Sequence, residues 1–146
     1  MKKNGFTLIE ILVAATIIAV LTAVGVTSYT SINKRSRDAK RKSDLEQVRS
    51  ALEMYRTDNG SYPGTSAGFV LLTGLTSDLV STYMPSIPAD PKSTFTPSSD
   101  YYYSPIGTSP FYSYCVCAEL ESEAGSNNCG VTNPAVGGCN YYLKNP

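Results

Sequence analysis

Glu10 is the one charge in an otherwise apolar run from Phe6 to Tyr29. A carboxylate in such a run costs about 2.5–3.5 kcal/mol at a bilayer centre, unless it lies near an end and snorkels to the interface. A cut between Gly5 and Phe6 would create a new α-amine at the start of a helix, with Glu10 one turn below it. A carboxylate there suits the positive end of the helix dipole. In apolar surroundings an amine from a partner chain can neutralise it. The chemistry is charge pairing between like stems rather than bond making.

Composition narrows the alternatives. The chain has 146 residues, no histidine and no tryptophan, and twelve basic residues set against twelve acidic ones. Without histidine the commonest general base, zinc ligand and triad member are gone. What remains is Ser, Tyr, Cys and carboxylates, with no nucleophile-plus-base constellation and no phosphate-binding glycine loop. An enzyme is therefore not expected. Zero net charge argues against a general nucleic-acid binder. The charges are nonetheless segregated. Lys34, Arg35, Arg37, Lys40, Arg41 and Lys42 face only Asp38, while from Thr57 onward Lys92 and Lys144 are outnumbered by acids. A greasy stem, a positive collar and an acidic head follow.

These groups need a rigid stem to position them. No proline interrupts Phe6 to Thr57, and Asp58-Asn59-Gly60 supplies a helix stop. One helix over that span measures roughly 78 Å. Its first part is long enough to cross a ~30 Å hydrocarbon layer. Beyond Tyr29, Leu45, Val48, Leu52 and Tyr55 recur at helical spacing as an apolar face, with Asp44, Glu46, Arg49, Glu53 and Arg56 expected on the wet side. The collar reads as a solvated helix face near lipid headgroups; the other readings are pairing with acidic heads of neighbouring copies, or contact with an anionic surface or with DNA, the last of which nothing else in the chain supports.

The string Lys2-Lys3-Asn4-Gly5-Phe6-Thr7-Leu8-Ile9-Glu10, continuing Ile11-Leu12-Val13-Ala14, resembles the prepilin signature of type IV pilins and type II secretion pseudopilins. The resemblance implies cleavage after Gly5, methylation of Phe6 as the first mature residue, and Glu10 as the assembly carboxylate. It also implies a homopolymer, a prepilin peptidase, an inner-membrane assembly platform with its ATPase, and minor pilins as partners. The precursor would sit in the inner membrane before entering an extracellular filament or a cell-envelope pseudopilus. Many pilins carry a proline late in the stem; this one has none, and Gly25 is its weakest helix former. Any unwinding of the stem is expected there.

The implied fold class is α+β: a long N-terminal helix packed against a small antiparallel sheet of about three strands. The expected division is a leader at 1–5, a membrane and assembly half of the helix at 6–29, an amphipathic half at 30–58, and a head at 59–146. Within the head, 59–99 is a loop region and 100–146 a sheet with a cysteine-stapled end. Brief helices are expected at Ala67 to Leu75 and Asp78 to Met84, and strands at Tyr101 to Tyr103, Phe111 to Leu120 and Asn140 to Leu143. In the second strand, Tyr112, Tyr114, Val116, Ala118 and Leu120 share the face expected to meet the helix. Ser113, Cys115, Cys117 and Glu119 share the other. The abundant tyrosines read as core and rim, with a sugar-binding patch as the functional alternative.

Cys115, Cys117, Cys129 and Cys139 lack the paired-loop spacing of a zinc site. In an exported head they read as disulfides. Three connectivities are open. Cys115 and Cys117 fall on one strand face, so each more plausibly reaches into the loop, and the nested pairs Cys117–Cys129 and Cys115–Cys139 are preferred. The loop also carries Glu119, Glu121, Glu123 and Asn127, oxygen ligands of the kind that hold calcium in the equivalent loop of major pseudopilins. No twelve-residue calcium-loop spacing is present. A solvated acidic turn with no cofactor is the preferred reading.

The functional expectation is a structural subunit of a type IV pilus-like filament, serving adhesion, motility or DNA uptake. The alternatives are the major pseudopilin of a type II secretion system, or a single-pass anchored surface-binding module in which Glu10 is incidental.

Overall fold

The computed structural model describes residues 5–64, 68–92, 100–122, 129 and 139–145. A single helix, α1, runs Leu8–Asn59 for 52 residues. It starts two residues later than expected because Thr7 serves as its N-cap. The Thr7 hydroxyl accepts from the Glu10 N–H, and the Glu10 carboxylate accepts the Thr7 N–H at 2.8 Å. This reciprocal box satisfies donors that a helix start otherwise leaves bare. At the other end Gly60 takes φ +78° and its N–H reaches the Arg56 carbonyl at 2.8 Å. A side chain would be strained in that left-handed position. The helix passes through Gly25 without a break.

The head begins with a two-residue strand β1 (Val70–Leu71), a 3-10 turn at Leu72–Leu75 and the short helix α2 (Thr76–Leu79). Strands β2 (Tyr102–Ile106), β3 (Ser113–Ala118) and β4 (Tyr141–Lys144) follow. The sheet is antiparallel in the order β1-β2-β3-β4, with Tyr103 opposite both Val70 and Val116, and Cys117 opposite Tyr142. It has four strands where about three were expected. Of the helix expected over Ala67 to Leu75, Val70 to Leu75 is β1 and the 3-10 turn instead and Ala67 lies outside the described residues, while the helix expected to reach Met84 stops at Leu79. Val70 and Leu71 are too few to show a period, and only pairing with Tyr102 and Tyr103 makes them a strand. β2 continues through Pro105, which lies beyond the end of β1 and so needs no partner on that side.

The two faces of β3 divide as the alternation predicts. Tyr114, Val116 and Ala118 pack with Tyr103, Leu72 and Leu79 against Leu45, Val48, Ala51 and Leu52 of α1. Tyr114 anchors this core, with ring centroids 4.5 Å from Tyr62 and 6.0 Å from Tyr103. Cys115 and Cys117 lie on the opposite face with Tyr102 and Tyr142. Tyr112 departs from its expected place: it stands 59% exposed, before β3 begins. Most of the tyrosines beyond Tyr101 are therefore core, not a binding surface.

The stem is bare. Phe6, Leu8, Ile9, Ile11, Leu12, Ile17, Leu21 and Val24 are all exposed. A helix this apolar on every side has nothing in the molecule to lie against, so lipid or other stems must cover it.

Candidate functional site

Two places carry chemistry, the head of the stem and the junction of collar with head. At the first, Gly5 and Phe6 precede the helix without regular secondary structure, and Phe6 is 82% exposed. Glu10 sits in the first turn of α1 with its carboxylate folded back on Thr7, accepting the Thr7 hydroxyl at 2.6 Å as well as its N–H. The Gly5–Phe6 bond is thus presented ahead of an ordered helix, within one turn of the acid. An open groove lined by Ile9, Glu10, Val13, Ala14 and Ile17 runs down the stem beside it. Among the described residues the Glu10 carboxylate has hydrogen-bond donors but no cation.

At the second place only part of the collar is a solvated face: Lys34, Arg35 and Lys40 are exposed, whereas Arg41 is not. Arg41 is 2% exposed and is gripped by three acids. Its guanidinium donates to both oxygens of Asp90, at 2.6 and 3.0 Å, and its Nη1 donates to Asp38 at 2.7 Å and Glu121 at 3.0 Å. Arg37 makes a second fork onto Glu121 at 2.6 and 2.7 Å. Asp38 accepts the backbone N–H groups of Glu121 and Ser122, each at 2.9 Å, and the Ser122 hydroxyl. One helix turn thereby clamps two head segments. Bidentate forks of this kind are the strong form of charge-assisted hydrogen bond.

The electrostatics follow the contacts. The Arg37 fork, aided by Arg41, holds the Glu121 carboxyl down at about 2 against the cost of its burial. Burial pushes Asp38 up, but the Ser122 hydroxyl, the two backbone N–H groups and Arg41 outweigh it and keep it below the usual carboxylate range. Donation of its N–H groups to the Asp90 carboxylate raises Arg41 above its ordinary value.

The wet side of the amphipathic helix needs correction too. Asp44 is buried, accepting the Tyr101 hydroxyl at 2.9 Å and pairing with Lys40 at 3.2 Å. Glu53 accepts the Tyr62 and Tyr114 hydroxyls at 2.9 and 3.2 Å. Periodicity sorts polar from apolar, but it cannot tell a solvated acid from one capped by a tyrosine arriving from the sheet.

All four cysteines are in disulfides, but the pairing is crossed rather than nested: Cys115–Cys129 and Cys117–Cys139. Cys117 sits opposite Tyr142 of β4, and Cys139 lies just before that strand, so the shorter reach is to Cys139. The bridges fill the sheet face away from α1, packed with Tyr102, Tyr142, Phe69 and Ile106. Removing either bridge is expected to cost about 2–4 kcal/mol, because each closes a loop in the unfolded chain. Thermal melting of Cys115→Ala/Cys129→Ala against the parent checks this, and an unchanged midpoint rejects it.

Of the acids considered for calcium, Glu121 is engaged by Arg37 and Arg41, with the Lys92 ammonium at 3.4 Å. Glu119 is exposed, while Glu123 and Asn127 lie outside the described residues. Among the described residues no group of three acids or cysteines is placed to hold a metal ion. Sequence reading assigns no role to Asp90 and sees Asp38 only as the lone acid among the collar's basic residues. The one available signal was a lone acid, Asp38, three residues before an arginine on a helix.

Comparison with known proteins accords with this architecture. Residues 1–26 match the prokaryotic N-terminal methylation motif, and residues 28–128 match the model for type II secretion system protein G. The chain is similar to type II secretion system core protein G of Pseudomonas aeruginosa, 31% identical over 135 residues that span 87% of this chain and 91% of that relative. It is 39% identical over 67 residues to the Escherichia coli protein of the same name, covering 46% of each. The Klebsiella pneumoniae counterpart is 36% identical over 76 residues, 52% of this chain and 54% of its own length. No solved structure matches the chain.

Proposed function

Because the chain belongs to the type II secretion system protein G family, we propose that it is a structural subunit of a secretion pseudopilus, not an enzyme. The observation that carries this is a wholly exposed apolar stem whose first turn holds one carboxylate, joined to a head clamped at the collar. In this reading residues 1–5 are a leader removed by a prepilin peptidase, and Phe6 is methylated. Residues 6–29 hold the precursor in the inner membrane and later pack with other stems. Residues 30–58 carry the head, 59–146. An assembly platform, its ATPase and minor subunits complete the machine. The family match favours secretion over the surface-pilus reading with its roles in adhesion, motility or DNA uptake, and over a monomeric anchored module.

The test is the chain's own N-terminus. Intact-mass measurement of membrane-purified protein is expected to give a chain starting at Phe6 with one added methyl group, in material that forms fibres. A chain that still begins at Met1 rejects the reading. We further propose that the acidic loop needs no calcium, since arginines already occupy Glu121. Chelation is expected to leave the melting temperature of the head unchanged, and a clear fall would restore the calcium site.

A further inference from the structure

The collar is divided in two. Arg37 and Arg41 are committed to Glu121, Asp38 and Asp90; Lys40 is paired with Asp44; and Lys42 lies over the Tyr141 ring. Lys34 and Arg35 are exposed, and among the described residues no acid pairs with either. Resting on the membrane-spanning reading of the stem, we propose that the α1 face carrying Ser28, Ser31, Ile32 and Arg35, with Lys34 beside it, binds the phosphate headgroup of an anionic phospholipid.

Those four residues follow i, i+3, i+4, i+7 spacing and line one shallow open groove. The same face continues toward the N-terminus through Val24, Leu21 and Ile17, all exposed, which is a track for an acyl chain. Axial distances agree with this placement. Leu8 to Val26 rises about 27 Å along α1, so with Phe6 and Thr7 ahead of it the apolar stretch matches the ~30 Å hydrocarbon layer. Tyr29, 68% exposed, then falls at the boundary that aromatic side chains favour. The backbone of Arg35 lies about 13 Å beyond Val26. A long basic side chain reaching back from there enters the headgroup layer.

The groove's chemistry is that of a phosphate site. The Arg35 guanidinium offers a planar fork that matches phosphate oxygens, and Ser31 adds a hydroxyl. Ser28, whose hydroxyl donates to the Val24 carbonyl at 3.2 Å, closes the membrane side. Lys34 adds a second positive charge one residue away. A parallel copy at the same depth would bring its own Lys34 and Arg35 to this level and repel them. An anionic headgroup does the opposite, and it is continuous with the lipid that covers the stem in the membrane-spanning reading. The collar therefore has two tasks: its outer pair faces the membrane and its inner pair holds the head.

The full chain, reconstituted in nanodiscs of equal parts phosphatidylcholine and phosphatidylglycerol, is extracted gently and its retained lipid is read by native mass spectrometry. Phosphatidylglycerol is expected to be enriched over phosphatidylcholine. Retention should fall about tenfold or more in Lys34→Gln/Arg35→Gln, since each basic side chain at an anionic surface contributes several-fold. Arg49→Gln, well beyond headgroup reach, should retain lipid normally. An unchanged head melting temperature shows that the double variant is folded. No preference for phosphatidylglycerol, or equal retention by the double variant, overturns the proposal. Loss of self-association with lipid retention intact gives the face to a second copy and also overturns it. Co-flotation with vesicles separates the premises: a chain that floats without a headgroup preference sinks only the lipid site, whereas one that does not float sinks the membrane reading with it.

Discussion

Glu10→Ala is expected to abolish fibre formation while leaving the head folded. In an assembled bundle the carboxylate would meet the α-amine of a neighbouring stem, and its loss leaves that amine uncompensated among apolar side chains. At about 2.5–3.5 kcal/mol per subunit, the concentration needed for growth rises on the order of 100-fold. The capping box offers a competing explanation, since the same substitution also removes the bond from the Thr7 N–H at 2.8 Å. A lost cap costs only about 1 kcal/mol of helix stability. Two further variants separate the causes. Glu10→Gln keeps an acceptor for Thr7 but has no charge, and should fail like the alanine. Thr7→Ala breaks the box but keeps the charge, and should assemble. Sedimentation and electron microscopy of purified protein read all three. Normal fibres from Glu10→Gln would show that charge pairing is not the assembly force.

Arg41→Met is expected to be the most damaging single change in the head-to-stem junction. Arg41 is buried with Asp38 and Asp90 against it, each carboxylate with 5% or less of its side chain exposed, and Glu121 adjoining. Removing the shared cation leaves buried acids uncompensated, which costs about 3–5 kcal/mol. Denaturant unfolding of the full chain in detergent measures it; a change below about 1 kcal/mol, within the range of exposed ion pairs, would mean that the junction is solvated. Acid should mimic the substitution. Glu121 sits at about 2 in the folded chain, and Asp38 is also held low. Depressed carboxyl groups stabilise fully above their unfolded values and lose that contribution as pH falls toward the folded ones. The parent chain should therefore weaken between about pH 5 and pH 2, while Arg41→Met should show a smaller loss over that range.

Stem, helix stop and sheet faces could be read from the residues because each is governed by local geometry. An unbroken apolar run with one acid, Asn59-Gly60 after a proline-free helix, and alternation from Tyr114 to Ala118 depend on periods of 3.6 and 2 that the backbone imposes wherever it goes. The nested cysteine pairing failed for the opposite reason. Cys117 chooses Cys139 because Cys139 leads into the strand that pairs with β3, a fact of register rather than of spacing. β1 escaped notice because two residues carry no period. Asp44 and Glu53 escaped because their partners are tyrosine hydroxyls carried in by the sheet.

Local order along the chain thus decided that there would be a stem, where it would stop, which acid it would carry, and which side of each strand would be greasy. Tertiary structure decided which charges meet. Arg41 and Asp90 are 49 residues apart, and Arg37 and Glu121 are 84 apart. No backbone period spans such distances, so those partnerships exist only once the core has closed and brought the head against the helix.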